Sequence, residues 1–244
     1  MKLPGIEDKT MLRPGGDKHH IPNPEYGEFW QAFYEFLLKN FTLSCPLTGD
    51  ISGRINPYFG NFGFRFQATT KTARYFHLGL DINAKSKTPV QPIASGVLEY
   101  SGFGHINGNY VFLSHPMIKT EDGFVLHSLY LHLRSLDVGF NSYQKMLRKI
   151  SFNKHPNILI PVGQKIGEVG STGNIAGIHS HLHLQVEFRN ESGKIVVIDP
   201  ARIFNLAPQE NLTATVENEA EFKEIFSRKS LELKKMGIDK YWKL

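Results

Sequence analysis

The sequence predicts a mainly β protein built on an antiparallel sheet, with flanking N- and C-terminal helices. Between residues 46 and 204, short apolar or alternating runs are separated by Gly, Asn and Pro, and no long helical pattern lies between successive runs. Closely spaced short strands are typical of antiparallel sheets, because parallel strands need crossover connections of a dozen or more residues. Amphipathic helical periodicity is concentrated near the two ends of the chain.

Nine segments have the length and the apolar pattern of short strands. Residues 139–157 depart from this pattern, because Tyr143, Leu147 and Ile150 are spaced as in a short helix among basic residues. We interpret this segment as an insertion beside the sheet. The predicted strands are 51–55, 62–66, 77–82, 97–100, 110–114, 125–133, 165–169, 181–188 and 195–198.

The first 45 residues are predicted to form an extended arm followed by an amphipathic helix. The arm is rich in Gly, Lys, Asp and Pro and has no periodicity, so we interpret His19 and His20 within it as solvated. Asn23 and Pro24 have the order of a helix N-cap and a first helical residue, and aromatic residues then recur at helical spacing to about Asn40. This helix is expected to pack on the main domain.

The remaining residues divide into a central domain and a C-terminal extension. The central domain is predicted to occupy residues 46–206. Residues 207–244 form the extension, in which 217–236 has one apolar helical face and Gly237 acts as a stop signal. The charged residues of that helix are interpreted as its solvated face.

Composition excludes several kinds of protein. The 244 residues are 41% hydrophobic and 21% charged, as in ordinary globular proteins, and no apolar run has the length of a membrane span. The single cysteine, Cys45, excludes an internal disulfide and a thiolate metal cluster within one chain. The net charge of +5 is scattered along the sequence, so we predict no nucleic-acid partner. The first residues lack the apolar run of a signal peptide, which leaves open a cytoplasmic protein or a chain written without its export signal.

Polar and apolar side chains alternate through residues 178–188. Residues two apart on a strand project from the same face, roughly 6 to 7 Å apart along the chain. Two histidines on such a face allow one to bind a metal while the other reaches a water on that metal. The side chains predicted to share this face are His179, His181, His183, Gln185 and Glu187.

A second strand, predicted at 77–82, carries a histidine and a carboxylate. Its alternation places His77 and Asp81 on one face, with Gly79 between them leaving room for an ion. Imidazole and carboxylate are both good zinc ligands, and a third protein ligand would leave the fourth tetrahedral position for water. His183 is the natural third ligand.

A third strand, predicted at 125–133, adds another histidine. Its alternation predicts Ser128, Tyr130 and His132 on a polar face, whereas His127 shares a face with leucines and is interpreted as structural. A single histidine is more often structural than functional. Three separate strands that each turn histidine to a polar face predict a common site.

Four motifs follow one another in a fixed order: His77-x-x-x-Asp81, Tyr130-Leu131-His132-Leu133, a Gly167-Glu168-Val169-Gly170-Ser171-Thr172-Gly173-Asn174 loop, and His181-Leu182-His183. Together they resemble the catalytic domain of the M23 zinc metallopeptidases, the lysostaphin and LytM-like peptidoglycan endopeptidases. The resemblance extends from about residue 46 to 204. It implies an antiparallel β-sheet groove closed by loops.

The resemblance also implies a function and a set of roles. His77, Asp81 and His183 would bind Zn²⁺, and His132 and His181 would flank the catalytic water and the oxyanion. We assign His181 as general base and His132 as oxyanion stabiliser, and the reverse assignment stays open. The implied activity is zinc-dependent cleavage of peptide cross-links of bacterial peptidoglycan through a metal-activated water. The expected partner is the peptide stem or cross-bridge, the expected location the cell envelope, and the expected state a monomer.

Some residues depart from the family pattern. Leu184 and Gln185 stand where the family usually has Phe and Glu, and His179 stands where a turn residue is common. The insertion at 139–157 follows the predicted strand that contains His132. We hypothesise that it restricts access to the groove or contacts the bacterial cell wall.

Two alternative functions remain. One is a catalytically silent M23-like groove that binds peptidoglycan or activates another wall hydrolase. The other is a phosphocarrier with facing histidines, although the carboxylate of Asp81 would repel phosphate. Zinc content discriminates among the three functions.

Overall fold

The computed structural model describes residues 11–12, 18–20, 27–49, 51, 54–55, 62–66, 73–137, 158–176 and 179–204. The predicted insertion at 139–157 and the predicted C-terminal helix at 217–236 lie outside these residues. Within them, no helix is both long enough and apolar enough to cross a membrane.

The described residues form a mainly antiparallel β structure, which confirms the predicted fold class. Two α-helices are described, α1 (Gly27–Asn40) and the short α2 (Pro200–Ile203), together with a 3₁₀ helix at Gly173–Ile175. The strands are β1 (Met11–Leu12), β2 (Lys18–His20), β3 (Gly63–Phe66), β4 (Ala73–His77), β5 (Gly79–Asn83), β6 (Pro89–Val90), β7 (Gly96–Gly104), β8 (Gly108–Lys119), β9 (Val125–Leu133), β10 (Ser135–Leu136), β11 (Leu159–Ile160), β12 (Gly167–Glu168), β13 (His181–Arg189) and β14 (Ile195–Ile198).

Nine of the described strands form the main sheet. Its order is β1, β2, β14, β13, β9, β8, β7 and β11, and β5 pairs with β13 outside this path. The pairing of β2 with β14 is parallel, whereas the other pairs are antiparallel. A smaller sheet contains β10, β12 and β6, and β3 pairs with β4. The predicted N-terminal arm therefore contributes β1 and β2 to the edge of the main sheet.

Strand β13 is central to the architecture because it has partners along both edges. One edge pairs with β9, and the other pairs first with β5 and then with β14. Its alternate apolar side chains are fully buried, as the sequence pattern predicts. These core residues are Leu182, Leu184, Val186 and Phe188.

Several strand boundaries differ from the prediction. The segment predicted as one strand at 77–82 is interrupted at Leu78, which separates β4 from β5. Within the predicted strand 51–55, the described residues form only an isolated bridge between Ile55 and Ile82. Strands β7 and β8 are longer than predicted, because glycines and polar residues at their ends continue the pairing.

Helix α1 packs on the sheet as its aromatic periodicity predicts. The ring of Phe33 is fully buried and meets Phe188 edge to face, with 5.5 Å between centroids. The Tyr34 hydroxyl accepts a hydrogen bond from the backbone N–H of Asp199 at 2.7 Å. The Asp199 carboxylate in turn caps α2 by accepting from Ala201 N. These contacts fasten α1 to the chain that follows β14.

A buried polar chain crosses the core beside the aliphatic cluster. His115 Nδ1 lies 3.1 Å from the Ser95 carbonyl, its Nε2 lies 2.8 Å from Ser128 Oγ, and Ser128 Oγ lies 3.0 Å from the Tyr130 hydroxyl. The Tyr130 oxygen also accepts from Ile93 N. Because a carbonyl can only accept, His115 carries a proton on Nδ1. Burial lowers the pKa of His115 to about 4, although the hydrogen bond to Ser95 partly opposes this effect.

This buried histidine predicts a stability that depends on pH. Between the unfolded pKa near 6.5 and the folded value of about 4, the unfolded chain binds more protons than the folded one. The free energy of unfolding should therefore decrease as the pH is lowered from about 6.5 to about 4, with a loss of about 3 kcal/mol attributable to His115. We expect His115→Asn to remove this part of the dependence in urea unfolding at about pH 7 and about pH 4.5. Equal pH dependence in both proteins would contradict it.

Candidate metal and catalytic site

Three side chains predicted to bind metal meet at one point. Asp81 on β5 lies directly opposite His183 on β13, and His77 reaches them from the end of β4. Asp81 Oδ1 lies 2.8 Å from His183 Nδ1 and 3.2 Å from His77 Nε2, and the two histidine nitrogens lie 3.0 Å apart. His77 and Asp81 do not share one uninterrupted strand as predicted, but the break at Leu78 still brings them together.

The chemistry of this trio fits zinc. Two imidazoles and one carboxylate form a donor set that is found in catalytic zinc sites with an open fourth position. Ligands bound to tetrahedral zinc at roughly 2.0 to 2.1 Å lie roughly 3.3 Å from one another, close to the separations observed here. Ligand atoms of His77, Asp81 and His183 all lie within 4.8 Å of one another. They can therefore hold such an ion with little rearrangement.

The ionisation of Asp81 suits a cationic ligand. Burial alone would raise the pKa of this carboxyl, but hydrogen bonds from His183 and then from His77 outweigh burial. The net effect holds the pKa of Asp81 well below its usual range. The carboxylate is thus ionised at neutral pH.

Gly79 permits the close packing of β5 against the His183 ring. A Cβ at this position would lie 2.6 Å from His183 Nε2 and 2.5 Å from the Leu184 carbonyl oxygen. Such distances are far below van der Waals contact, and both neighbours belong to the paired strand. The absent side chain therefore makes room for the imidazole, whereas the sequence predicted that it makes room for the ion.

His181 stands beside the trio on the same face of β13. Its Nε2 lies 3.9 Å from Asp81 Oδ1. Its Nδ1 donates to the carbonyl of His179 at 3.0 Å, which places the proton of the neutral ring on Nδ1 and leaves a lone pair on Nε2. The exposed loop residue His179 thus contributes a backbone acceptor to the site.

His132 reaches the site by a route that simple alternation does not predict. Ser128 and Tyr130 point into the core, so the predicted polar face of β9 is wrong at these positions. Leu131 instead pairs opposite His183. The pairing of β8 with β9 also shifts register between Tyr130 and Leu133, where β9 contains one more residue than β8 and forms a bulge. His132 adopts a positive φ of 61°, which returns its side chain to the site face. Its ring centroid lies 5.3 Å from that of His181.

The environment of His132 favours a neutral ring. Burial, followed by the nearby His183, lowers the pKa of His132 to about 4, although a hydrogen bond to the Thr172 carbonyl opposes the change. That bond, 3.0 Å from Nδ1, leaves the Nε2 lone pair available, as in His181. The site therefore combines a trio of ligand atoms with two proton-accepting imidazoles.

Beyond His183, the same face of β13 carries a buried polar row. The Gln185 amide donates to Glu187 Oε2 at 2.6 Å, and Arg189 forms an ion pair with the other oxygen of Glu187. The guanidinium of Arg189 lies over the Phe112 ring at 4.6 Å. The neutral amide of Gln185 therefore donates a hydrogen bond to a buried carboxylate on the same strand as His183.

His127 has the structural role that the sequence suggested. Its ring stacks on Phe112 with 5.3 Å between centroids, and its Nδ1 donates to the Val125 carbonyl. Burial lowers the pKa of His127. It lies opposite Glu187, four residues along β13 from His183.

The sequence did not identify Asn109 or Thr172 as functional residues, although both hydrogen-bond to the segment 132–134 that contains His132. Thr172 was part of the glycine-rich motif, but the motif alone does not reveal which strand the loop contacts. The glycines at 108 and 173 signal a close backbone approach, and each would place a Cβ against the other loop.

Replacement of Gly79 tests the geometry of the trio. A methyl group in Gly79→Ala would collide with His183 and with the backbone of β13, so we expect at least about tenfold weaker binding of zinc and reduced stability. Zinc titration with a competing chelator and urea unfolding would measure both effects. Gly104→Ala is the matched control, because Gly104 does not have a positive φ and a Cβ there would meet only Asn107, at an ordinary contact distance of 3.7 Å. Unchanged zinc affinity in Gly79→Ala would contradict the proposed packing.

Comparisons with known proteins agree in one family. The family model described as "Peptidase family M23" matches residues 75–196, which is half of the chain. Peptidoglycan DD-endopeptidase ShyC of Vibrio cholerae is 26% identical over 219 residues, 90% of this chain and 44% of that protein. DD-carboxypeptidase/endopeptidase Mpg of Neisseria meningitidis is 32% identical over 125 residues, 51% of this chain and 23% of that protein. The chain thus spans less than half the length of these relatives.

Solved structures include similar chains. A zinc-containing peptidase from Vibrio cholerae is 22% identical, with a TM-score of 0.40, over 62% of this chain and 39% of the other. The catalytic domain of lysostaphin from Staphylococcus simulans is 25% identical, with a TM-score of 0.36, over 58% of this chain and 86% of the other.

Proposed function

Because the chain belongs to peptidase family M23, we propose that it is a zinc-dependent endopeptidase that cleaves peptide cross-links of bacterial peptidoglycan. The observation that carries this proposal is the convergence of His77, Asp81 and His183 beside the two rings of His132 and His181. This arrangement supplies both a place for a Lewis acid and two groups that can move protons.

In the proposed mechanism, the trio His77, Asp81 and His183 would hold the zinc ion. Bound zinc would supply Lewis acidity that polarises a scissile carbonyl and lowers the pKa of a water molecule toward about 7. His181 would accept the proton of the attacking water at Nε2, because its Nδ1 is fixed as a donor to the His179 carbonyl. Proton transfer of this kind contributes roughly 10² to 10⁴-fold in rate.

His132 is the proposed stabiliser of the oxyanion. To donate from Nε2 while Nδ1 remains bonded to Thr172, its ring must carry a second proton, a state that the burial of His132 and its neighbour His183 oppose. His181 would face the same requirement if the two roles were exchanged, since both neutral rings have the same tautomer. The reverse assignment therefore remains compatible with the hydrogen bonds.

The substrate proposal draws on the family and on two relatives whose names contain endopeptidase. We propose that the peptide stems or cross-bridges of peptidoglycan enter the site in the cell envelope, where this polymer lies. The protein is proposed to act as a monomer. Mass spectrometry of products from defined cross-linked fragments would identify the bond that is cut.

A catalytically silent groove is the second candidate function. Silent members of the family usually have lost metal ligands, whereas all five side chains are present and close together here. A phosphocarrier is disfavoured because the ionised Asp81 lies against both His77 and His183. The hydrolytic proposal therefore has the better physical support.

Substitution of each histidine separates metal binding from catalysis. We expect His77→Ala to lose zinc and activity, whereas His132→Ala and His181→Ala should keep zinc and lose at least about 10²-fold in kcat. Elemental analysis and hydrolysis of a defined cross-linked fragment would measure the two properties. His127→Ala is the control, because His127 lies on β9 like His132 but its ring stacks on Phe112. This variant should keep both its zinc and its activity.

Two outcomes would overturn these roles. A full equivalent of zinc in His77→Ala would refute the ligand assignment. Wild-type turnover in both His132→Ala and His181→Ala would refute their part in catalysis.

A further inference from the structure

The side chain of His132 depends on an unusual backbone conformation to reach the site. Its φ of 61° lies in the left-handed region, which non-glycine residues seldom occupy. Such a conformation persists only when surrounding structure holds it in place. The contacts around His132 should therefore include residues whose function is to hold this turn.

Thr172 contacts both the ring and the main chain of His132. Its carbonyl accepts from His132 Nδ1 at 3.0 Å, and its backbone N–H donates to the His132 carbonyl at 3.4 Å. One loop residue thus fixes the tautomer of the ring and the direction of the peptide that carries it.

The Thr172 hydroxyl connects this loop to two strands. Its oxygen accepts from the backbone N–H of Asn109 on β8 at 2.9 Å, and its proton is donated to the Leu133 carbonyl on β9 at 2.7 Å. The two hydrogen bonds of this hydroxyl therefore connect the loop to β8 and to the residue of β9 that follows His132. A methyl group in its place would leave a donor and an acceptor unsatisfied.

The Asn109 side chain completes the arrangement from β8. Its amide donates to the carbonyls of Leu133 and Arg134 at 2.9 and 3.1 Å. The neighbouring Asn107 carbonyl accepts from His132 N at 2.9 Å. The residues at the start of β8 and the loop that contains Thr172 therefore both hydrogen-bond to the turn at His132.

Two glycines bring these segments into backbone contact. A Cβ at Gly108 would overlap Thr172, and one at Gly173 would lie 2.5 Å from the Ile106 carbonyl oxygen. Both glycines have positive φ, of 62° and 84°. The close approach places the Thr172 hydroxyl within reach of both strands.

We propose that Thr172 and Asn109 are positioning residues for catalysis, which hold His132 in its left-handed turn and fix its Nε2 toward the substrate. This inference rests on the proposed hydrolytic function. The hydrogen bonds described for the Thr172 hydroxyl go to Asn109 and Leu133 rather than to the three metal ligands. Loss of this hydroxyl should consequently impair turnover without removing zinc.

The test compares Thr172→Val with Thr172→Ser in the zinc-loaded protein. Valine preserves the branched shape but removes the hydroxyl, and serine restores the hydroxyl. We expect at least about a tenfold fall in kcat for valine, a KM within about twofold of wild type, full zinc and rescue by serine. A kcat equal to wild type in Thr172→Val, or equal impairment in the serine variant, would overturn the proposal.

Thr120→Val is the control for loss of a hydrogen-bonded threonine hydroxyl. Thr120 Oγ1 accepts from Phe124 N at 3.1 Å in the turn between β8 and β9, and the residue is buried. Its valine variant should lose stability but keep kcat. If Thr120→Val loses turnover as Thr172→Val does, the effect is general destabilisation and the positioning role is rejected.

A spectroscopic readout makes the test independent of hydrolysis. Nitrogen-15 NMR of the imidazoles at fixed pH should show His132 with its proton on Nδ1 in the wild type and a mixture of tautomers in Thr172→Val. An unchanged His132 signal in the valine variant would overturn the proposal even if the wild type hydrolyses no tested substrate. If Thr172→Val does not fold, Asn109→Ala replaces it, and the same tautomer mixture is expected.

Discussion

The pairing of β5 with β13 is the constraint on which the site depends. It places Asp81 directly opposite His183, so the carboxylate and the imidazole meet without any contribution from a flexible loop. The register is itself fixed by burial, because a slip of one residue would move Leu182 and Leu184 out of the core and the histidines into it. The same interactions that stabilise the sheet therefore position two ligand atoms. Gly79 completes this arrangement by leaving space for the His183 ring.

The second group of side chains is held differently. His181 follows from the same register, since it precedes His183 by two residues on one face. His132 instead depends on a bulge and a left-handed residue at the end of β9, both of which are costly unless neighbouring segments maintain them. The ligand trio thus rests on regular sheet structure, while one proposed catalytic ring rests on a local departure from it. Changes in the loops around β9 should accordingly affect proton transfer before they affect metal binding.

The sequence predicted the features that follow from periodicity. The alternation in 181–188 identified a half-polar strand, and the aromatic spacing identified α1. The bulge that carries His132 could not be predicted, because alternation placed it with Ser128 and Tyr130, which are core residues. The interruption at Leu78 was also missed, since the apolar pattern continues through it. Long-range contacts such as those of Thr172 depend on which loops meet, and local sequence does not contain that information.

In the proposed mechanism, hydrolysis depends on one zinc ion held by His77, Asp81 and His183. The most direct measurement is a titration of zinc into chelator-stripped protein, with cleavage of a defined cross-linked peptidoglycan fragment recorded at each addition. We expect negligible cleavage without zinc and a linear rise in cleavage that ends at one equivalent of zinc per chain. Full cleavage by the stripped protein, or no cleavage after one tightly bound equivalent, would contradict it.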